Sequence, residues 1–153
     1  MTKILFVCTG NICRSPMAEF IMKNMVKEAG FAEEFYIASA ATTTEELGNP
    51  VYPGARKRLA EEGISVAGKY AVQIKRGDYE KYDYLIGMES RHIAHMLRVF
   101  GGDPEGKVSR LLEFAGSSRD IADPWYSGNF DTAYDDIYEG CEALLRELQG
   151  GIV

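Results

Sequence analysis

A cysteine and an arginine lie six residues apart near the start of the chain, in the octet Cys8-Thr9-Gly10-Asn11-Ile12-Cys13-Arg14-Ser15. The octet follows an apolar run at residues 4–7 and precedes Pro16, which favours the first turn of a helix. A turn between a strand and a helix presents backbone N–H groups and a positive helix end, which together bind an oxyanion. This field favours the nucleophilic thiolate of Cys8, and the Arg14 guanidinium matches two phosphate oxygens. The octet therefore predicts chemistry on a phosphate group.

The other octet residues have their own physical reasons for these positions. Gly10 and Asn11 tolerate a positive φ, which would let the chain turn its amides toward the anion. Ser15 places a hydroxyl within reach of the Cys8 sulfur. The alternative for Cys8 is a buried structural cysteine at a strand end, and the accompanying residues favour the chemical interpretation over it.

Transfer of a phosphoryl group to sulfur also requires a proton donor for the leaving oxygen. Asp123 precedes Pro124, which excludes helical geometry for the aspartate and suits a carboxylate that reaches into a cleft. Asp120 is a competing candidate, less favoured because no proline restricts its backbone. We expect Trp125 and Tyr126 to form an aromatic wall beside the pocket, with plain core packing as the alternative.

Strand-like and helix-like segments alternate along the chain. The unbroken apolar run at 4–7 is typical of a strand buried on both faces of a parallel sheet. The patterns predict strands at 4–7, 35–39, 82–88 and 108–112, and helices at 16–29, 53–62, 90–100 and 130–149. This alternation predicts one α/β domain over residues 1–153, with a doubly wound parallel sheet of four strands in the flavodoxin-like order 2-1-3-4. Ligands of such folds bind at the carboxyl ends of the strands, where the octet lies.

The composition excludes several classes of protein. The net charge of −6 argues against nucleic acid as a partner. No apolar stretch approaches the ~20 residues of a membrane span, and the start lacks signal-peptide features, so we expect a cytoplasmic protein without membrane insertion. Three cysteines do not suggest a disulfide framework. His92 and His95 are expected on a solvated helix face, so no metal site is predicted, and no pattern selects an oligomeric state.

These motifs resemble one family across essentially the whole chain. The octet, extended by Pro16-Met17-Ala18-Glu19, and the later Asp123-Pro124-Trp125-Tyr126 are similar to the motifs of the low-molecular-weight protein tyrosine phosphatases. The resemblance implies that Cys8 is the nucleophile, that Arg14 binds phosphate and the transition state, and that Asp123 is the general acid. It implies hydrolysis of phosphotyrosine in proteins, and of small aryl phosphates, through a phosphocysteine and without metal or other cofactor.

The resemblance also implies roles for residues around the nucleophile. The segment from Thr9 to Ser15 would bind the phosphate, including Gly10, Ile12 and Cys13 as well as the residues already discussed. Asn11 and Ser39 would support this loop by hydrogen bonding, and Ser15 would help to keep Cys8 ionised. Cys13 would be a second thiol that bonds reversibly with Cys8 under oxidation.

Three positions depart from the family pattern. Glu45 stands in the substrate wall where many relatives carry an aromatic residue, so it would repel acidic peptides and leave aryl recognition to Trp125 and Tyr126. Lys69 and Val72 stand where relatives often carry histidine and arginine, which puts the hydrogen-bond network behind the loop in question. Trp125 replaces the first of two tyrosines that often follow the Asp-Pro pair, so only Tyr126 remains as a site of tyrosine phosphorylation.

Three other functions compete with this interpretation. Protein arginine phosphatases of the same fold tend to carry threonine at the position of Ile12, whose larger side chain should narrow the pocket toward a flat aryl group. A thiol-dependent arsenate reductase needs further cysteines for disulfide exchange, and the only distant one, Cys141, lies on the apolar stripe of the last helix. A phosphate-binding module without turnover would not need the set Cys8, Arg14 and Asp123.

Overall fold

Four parallel strands form one sheet in the computed structural model, which describes residues 1–150; residues 151–153 of the predicted domain lie outside the described residues. In chain order the strands are β1 (Thr2–Cys8), β2 (Phe35–Ala41), β3 (Tyr84–Gly87) and β4 (Val108–Arg110). Their order across the sheet is β2-β1-β3-β4, and every neighbouring pair is parallel. The predicted sheet is therefore confirmed. Its order reverses beside β1, where doubly wound folds bind ligands.

Six α-helices connect and cover the strands. They are α1 (Arg14–Glu28), α2 (Pro53–Glu61), α3 (Asp78–Lys81), α4 (Ser90–Phe100), α5 (Pro124–Ser127) and α6 (Phe130–Gly150). The predicted bounds of α4 are confirmed, whereas α1 begins two residues before Pro16. The single-turn helices α3 and α5 were not predicted, because one turn is too short to show apolar periodicity. Within residues 1–150, no helix has both the length and the apolar composition that a bilayer span requires.

Strand β4 ends two residues earlier than predicted. Leu111 and Leu112 begin a 3-10 turn, Leu111–Ala115, instead of continuing the strand. Both side chains are buried with the inner side of α6. The apolar run predicted a strand because burial alone does not distinguish a short strand from a buried turn.

Both faces of β1 are covered, as its unbroken apolar run predicts. Ile4, Phe6 and Cys8 point into the core formed with α1, α2 and α6, whereas Leu5 and Val7 pack on the side of α4. The carboxyl end of β1, and with it the octet, is therefore surrounded by packed elements on both sides of the sheet. The conformation of the loop that follows is set by contacts with these elements.

The first turn of α4 lies very close to β3. A Cβ atom at Gly87 would come within 2.9 Å of the Cβ of His92, so only glycine allows this approach. Because of this contact, the start of α4 lies against the loop that follows β1. The contact buries residues that the sequence pattern of the helix alone would predict to be exposed.

Candidate active site

The loop between β1 and α1 turns sharply at Asn11. Asn11 has φ 59° and is the only non-glycine residue with a positive φ among residues 1–150, which confirms the prediction for this position. The same prediction for Gly10 is wrong, because its φ is not positive. The missing side chain matters there for a different reason: a Cβ would lie 3.3 Å from the Cγ of Glu46.

The Asn11 side chain joins the loop to two other segments. Its amide nitrogen donates to the Ser15 hydroxyl at 2.7 Å and to the Ser39 hydroxyl at 2.9 Å. Its amide oxygen accepts from the backbone N–H of Val72 at 3.1 Å. The two residues predicted to support the loop, Asn11 and Ser39, are thus in direct contact. Val72 takes part through its backbone alone, so the identity of its side chain does not affect this bond.

Two donors point at the sulfur of Cys8. The Ser15 hydroxyl oxygen lies 3.0 Å from Sγ, and the Ser15 backbone N–H lies 3.4 Å from it. Because the Ser15 oxygen already accepts from Asn11, its own proton is free to point at the sulfur. A negative charge on the sulfur is therefore stabilised by both groups, inside a site where Cys8 is only 3% exposed.

Arg14 is buried and held by three acceptors. Its Nη1 donates to the carbonyl oxygen of Ile121 at 2.7 Å and lies 3.4 Å from a carboxylate oxygen of Glu89. Its Nη2 lies 3.4 Å from a carboxylate oxygen of Asp123. Only 1% of the arginine is exposed. The carboxyl groups of Glu89 and Asp123 thus flank the guanidinium, which lines the same pocket as Cys8.

A surface pocket opens above these groups. Asp123 caps α5, accepting from the backbone N–H of Trp125 at 3.0 Å. Trp125 and Tyr126 are 50% and 82% exposed, so the alternative of core packing is wrong for both. The pocket is lined by Cys8, Thr9, Gly10, Ile12, Cys13, Arg14, Glu45, Glu46, Asp123, Trp125 and Tyr126. Nearly every residue proposed from the sequence thus lies in one place, with Asn11, Ser15 and Ser39 directly behind it.

The aromatic wall is supported from the core side. The Tyr52 ring meets the Trp125 ring edge-on, with centroids 4.8 Å apart, and stacks on Phe130 at 5.8 Å. Such pairs favour one orientation of the rings. The aromatic wall is therefore anchored to α6 even though its outer surface is open to solvent.

Asp120, the competing candidate for the general acid, lies outside the pocket. One of its carboxylate oxygens accepts from the Ser90 backbone N–H at 2.9 Å and lies 3.2 Å from Arg110 Nη1. Burial alone would raise the pKa of Asp120, but these hydrogen bonds lower it below its usual range. Asp120 is a structural group that joins the start of α4 to β4.

A buried carboxylate behind the loop was not predicted as part of the site. Glu19 is 4% exposed and accepts from the Ser39 hydroxyl at 2.6 Å. Lys69 donates to the Ser39 carbonyl oxygen at 2.9 Å and lies 3.5 Å from Glu19, which Lys23 also contacts. Burial lowers the pKa of Lys69, and the charge of Glu19 opposes this. The hydrogen-bond network behind the loop, which the lysine at position 69 had put in question, is therefore present and includes Lys69. The sequence signal that could have revealed Glu19 as part of the site was its position four residues after Ser15.

The expectation of a solvated face is wrong for His92. Its side chain is 1% exposed, and it forms a capping box with Glu89 at the start of α4. Burial, together with the nearby charges of Arg14 and Arg91, lowers the pKa of His92 to about 3. The sequence signal was the spacing of Glu89 and His92, three residues apart just after β3, which is that of a helix start.

Comparison with known proteins finds relatives that match almost the whole chain. The family model described as low molecular weight phosphotyrosine protein phosphatase matches residues 3–151. The chain is 37% identical over 151 residues to the low molecular weight protein-tyrosine-phosphatase YfkJ of Bacillus subtilis, covering 97% of each chain. It is 32% identical over 146 residues to PtpA of Staphylococcus aureus, covering 95% of this chain and 92% of PtpA.

Solved structures agree with these sequence matches. The crystal structure of YfkJ superposes with a TM-score of 0.94, covering 99% of this chain and 96% of YfkJ. SP-PTP from Streptococcus pyogenes, 35% identical, superposes with a TM-score of 0.86 and covers 97% of this chain and 93% of its own.

The buried pair of Lys69 and Glu19 generates a stability prediction. Lys69→Met leaves the Glu19 carboxylate without its buried partner and should lower the free energy of unfolding by up to about 3 kcal/mol, the low end for a broken buried pair because Lys23 remains. Lys23→Met is the matched control: its side chain is 43% exposed, so we expect a loss below about 1 kcal/mol. Urea unfolding measures both. Equal losses in the two variants would contradict the assignment.

Proposed function

The chain belongs to the low molecular weight phosphotyrosine protein phosphatases, and we propose that it hydrolyses phosphotyrosine in proteins through a phosphocysteine on Cys8. The observation that carries this assignment is the convergence of Cys8, Arg14 and Asp123 on one pocket. A thiolate supplies the nucleophile, a guanidinium binds the phosphoryl oxygens, and a carboxyl group handles the proton. Binding without turnover would need neither the thiol nor the acid.

In the first step the Cys8 sulfur attacks phosphorus in line with the leaving oxygen. The S–P bond forms as the bond between phosphorus and the tyrosine oxygen breaks, and Asp123 gives its proton to that oxygen. Asp123 lies against Arg14, which also binds the phosphoryl group, so one contact places the acid beside the scissile bond. Proton donation of this kind contributes roughly 10²–10⁴-fold to the rate.

In the second step water hydrolyses the phosphocysteine. Asp123, now a carboxylate, accepts a proton from the attacking water, and the S–P bond breaks to return the Cys8 thiolate and release phosphate. Arg14 and the backbone N–H groups of the loop stabilise the charge on the equatorial oxygens in both steps. This is the stabilisation that metal ions supply in kinases, so the proposed mechanism includes no metal.

The chemistry also bears on where the enzyme works. A catalytic thiolate requires a compartment that keeps thiols reduced, and the cytoplasm is such a compartment. Cys8, Cys13 and Cys141 are all free thiols, in agreement with that setting. We therefore assign the proposed activity to phosphoproteins of the cytoplasm.

Hydrolysis of p-nitrophenyl phosphate in the presence of EDTA tests the three catalytic assignments. We expect Cys8→Ser to abolish turnover, because a serine hydroxyl is a far weaker nucleophile at neutral pH. Arg14→Lys should lower kcat/KM by roughly 10²–10³-fold, because it loses the planar fork of donors. Asp123→Asn should lower kcat by roughly 10²–10⁴-fold.

Asp120→Asn is the matched control for the general acid. Asp120 contacts Ser90 and Arg110 outside the pocket, so the substitution leaves the acid and the nucleophile in place. The kcat of Asp120→Asn should therefore fall by less than about tenfold. An Asp120→Asn loss as large as that of Asp123→Asn would overturn the assignment of the acid. Turnover by Cys8→Ser, or loss of wild-type turnover in EDTA, would overturn the mechanism.

The residues that line the pocket suggest the substrates it prefers. Glu45, Glu46 and the half-exposed Trp125 all line it. The aromatic side chain fits the ring of phosphotyrosine, while the two glutamates repel acidic residues that flank it. The short side chain of phosphoserine would not carry its phosphate past the wall to Cys8.

Peptide kinetics test this selectivity. We expect phosphotyrosine peptides to be hydrolysed much faster than phosphoserine peptides of the same flanking sequence. Glu45→Trp should lower KM for a phosphotyrosine peptide with acidic flanks by roughly threefold to tenfold, because it removes a repulsion and adds an aromatic contact. Its KM for a neutral peptide should change less. Equal rates on the two phosphoamino acids, or faster hydrolysis of phosphoarginine, would contradict the assignment of substrate class.

Cys13 lies in the same pocket and is proposed as the partner of Cys8 in reversible oxidation. Burial and the nearby charges of Cys8 and Asp123 raise the pKa of Cys13, so it remains a protonated thiol. Peroxide would oxidise the Cys8 thiolate to a sulfenic acid, and the Cys13 thiol would then displace water from it to form a disulfide. The disulfide protects Cys8 from irreversible oxidation.

Recovery after peroxide tests the role of Cys13. We expect wild type to regain most of its activity on addition of dithiothreitol, and Cys13→Ser to regain much less because its sulfenic acid oxidises further. Cys141→Ala is the control, since Cys141 lies in the core against the Ala18 carbonyl and away from the pocket. Recovery of Cys13→Ser equal to that of Cys141→Ala would remove the protective role.

A further inference from the structure

The residue after the nucleophile is held from two directions. The carbonyl oxygen of Thr9 accepts from both the backbone N–H and the hydroxyl of Thr43, at 3.1 and 2.9 Å. The Thr9 hydroxyl oxygen lies 3.0 Å from Nε2 of His92. The backbone of Thr9 is thus fixed by the segment that follows β2, and its side chain is fixed by the first turn of α4.

The surroundings of His92 determine which of its ring nitrogens carries the proton. Nδ1 accepts from the backbone N–H groups of Met88 and Glu89, at 3.2 and 3.1 Å. A nitrogen that accepts two hydrogen bonds has no proton of its own, and burial keeps the ring neutral. The single ring proton is therefore on Nε2, and His92 donates to the Thr9 hydroxyl oxygen.

This donation leaves the proton of Thr9 available. A hydroxyl that accepts from His92 directs its own proton elsewhere. Among the hydrogen bonds within residues 1–150, the Thr9 hydroxyl takes part only in the one with His92. Thr9 lines the pocket together with Cys8 and Arg14, and a phosphoryl group bound in the pocket would supply acceptor oxygens.

The first turn of α4 supports the pocket at two points. Glu89, which caps the helix, also pairs with Arg14 at 3.4 Å. His92 contacts Thr9 from the same turn, and the absence of a side chain at Gly87 permits the close approach of both. One helical turn therefore positions the arginine and the threonine relative to each other.

We propose that His92 is a positioning residue that orients the Thr9 hydroxyl as a side-chain donor to the bound phosphoryl group. The inference rests on the proposed function, since it assigns a further donor to the same pocket. Thr9 touches the substrate oxygen, and His92 acts only through Thr9. The donor adds to the backbone N–H groups and to Arg14, and it contributes most where negative charge on the phosphoryl oxygens is greatest.

A merely structural role for His92, as the cap of α4, can be separated from this one. In His92→Asn the side-chain amide oxygen takes the place of Nδ1 and still accepts from Met88 and Glu89, but the donor to Thr9 is lost. Thr9→Val removes the hydroxyl and keeps the shape of the side chain, whereas Thr9→Ser keeps the hydroxyl. His95→Asn is the matched control, the same substitution one turn further along α4.

The experiment measures the inhibition constant of orthovanadate and the kinetics of p-nitrophenyl phosphate hydrolysis. We expect His92→Asn and Thr9→Val each to raise the vanadate constant roughly tenfold, the effect of one hydrogen bond to a charged group. The double variant should match Thr9→Val alone, because His92→Asn keeps the acceptor for Met88 and Glu89, and Glu89 keeps its contact with Arg14. The vanadate constants of Thr9→Ser and His95→Asn should stay within about twofold of wild type, because the first keeps the hydroxyl and the second changes a residue that does not take part.

Several outcomes would overturn the inference. One is a vanadate constant in the double variant that rises by the product of the two single increases. The others are an unchanged vanadate constant in Thr9→Val, and a vanadate constant that rises in His95→Asn as much as in His92→Asn. Because the Thr9 variants leave α4 intact, they decide the point even if His92→Asn is poorly folded. If wild type does not hydrolyse aryl phosphate, the proposed function fails. The same variants are then compared by how well inorganic phosphate protects Cys8 from iodoacetate, a measurement that needs no turnover.

Discussion

The bend at Asn11 is the constraint on which the site depends. A left-handed conformation costs a non-glycine residue of order 1–2 kcal/mol, and Asn11 offsets this with three side-chain hydrogen bonds. Their partners are Ser15 on α1, Ser39 on β2 and the backbone of Val72, so the loop takes its shape from contacts with three separate segments. Since Ser15 contacts Cys8, the same bend determines which groups face the sulfur.

The contacts of Arg14 show which of its guanidinium donors are already engaged in close hydrogen bonds. Charge-assisted hydrogen bonds are usually 2.7–2.9 Å long, about 0.5 Å shorter than the two 3.4 Å carboxylate contacts here. Only the Ile121 carbonyl is within close hydrogen-bond distance, at 2.7 Å. Glu89 and Asp123 therefore flank the guanidinium without taking up its donors at close range. In the proposed mechanism the donors that these contacts leave unused bind the phosphoryl oxygens.

Features that depend on local pattern were predictable from the sequence, and those created by distant contacts were not. The alternation of strands and helices, the turn at Asn11 and the place of Asp123 follow from apolar periodicity, tolerance of positive φ and the Asp-Pro pair. His92 stands in a polar stretch that is typical of a solvated helix, and its burial arises from the approach of Gly87. Lys69 joins the network through Glu19, fifty residues away in the sequence and invisible to periodicity.

The charges of the pocket divide into an inner and an outer set with different tasks. In the proposed mechanism Arg14 and the loop amides act at contact distance on the phosphoryl group, whereas Glu45 and Glu46 act at the mouth, where solvent screens them. With a net charge of −6, the protein does not attract a dianion from afar, so affinity has to come from the inner set. The charges at the mouth can then select among the residues that flank the phosphotyrosine, because they can change without altering the groups proposed to bind the phosphoryl oxygens.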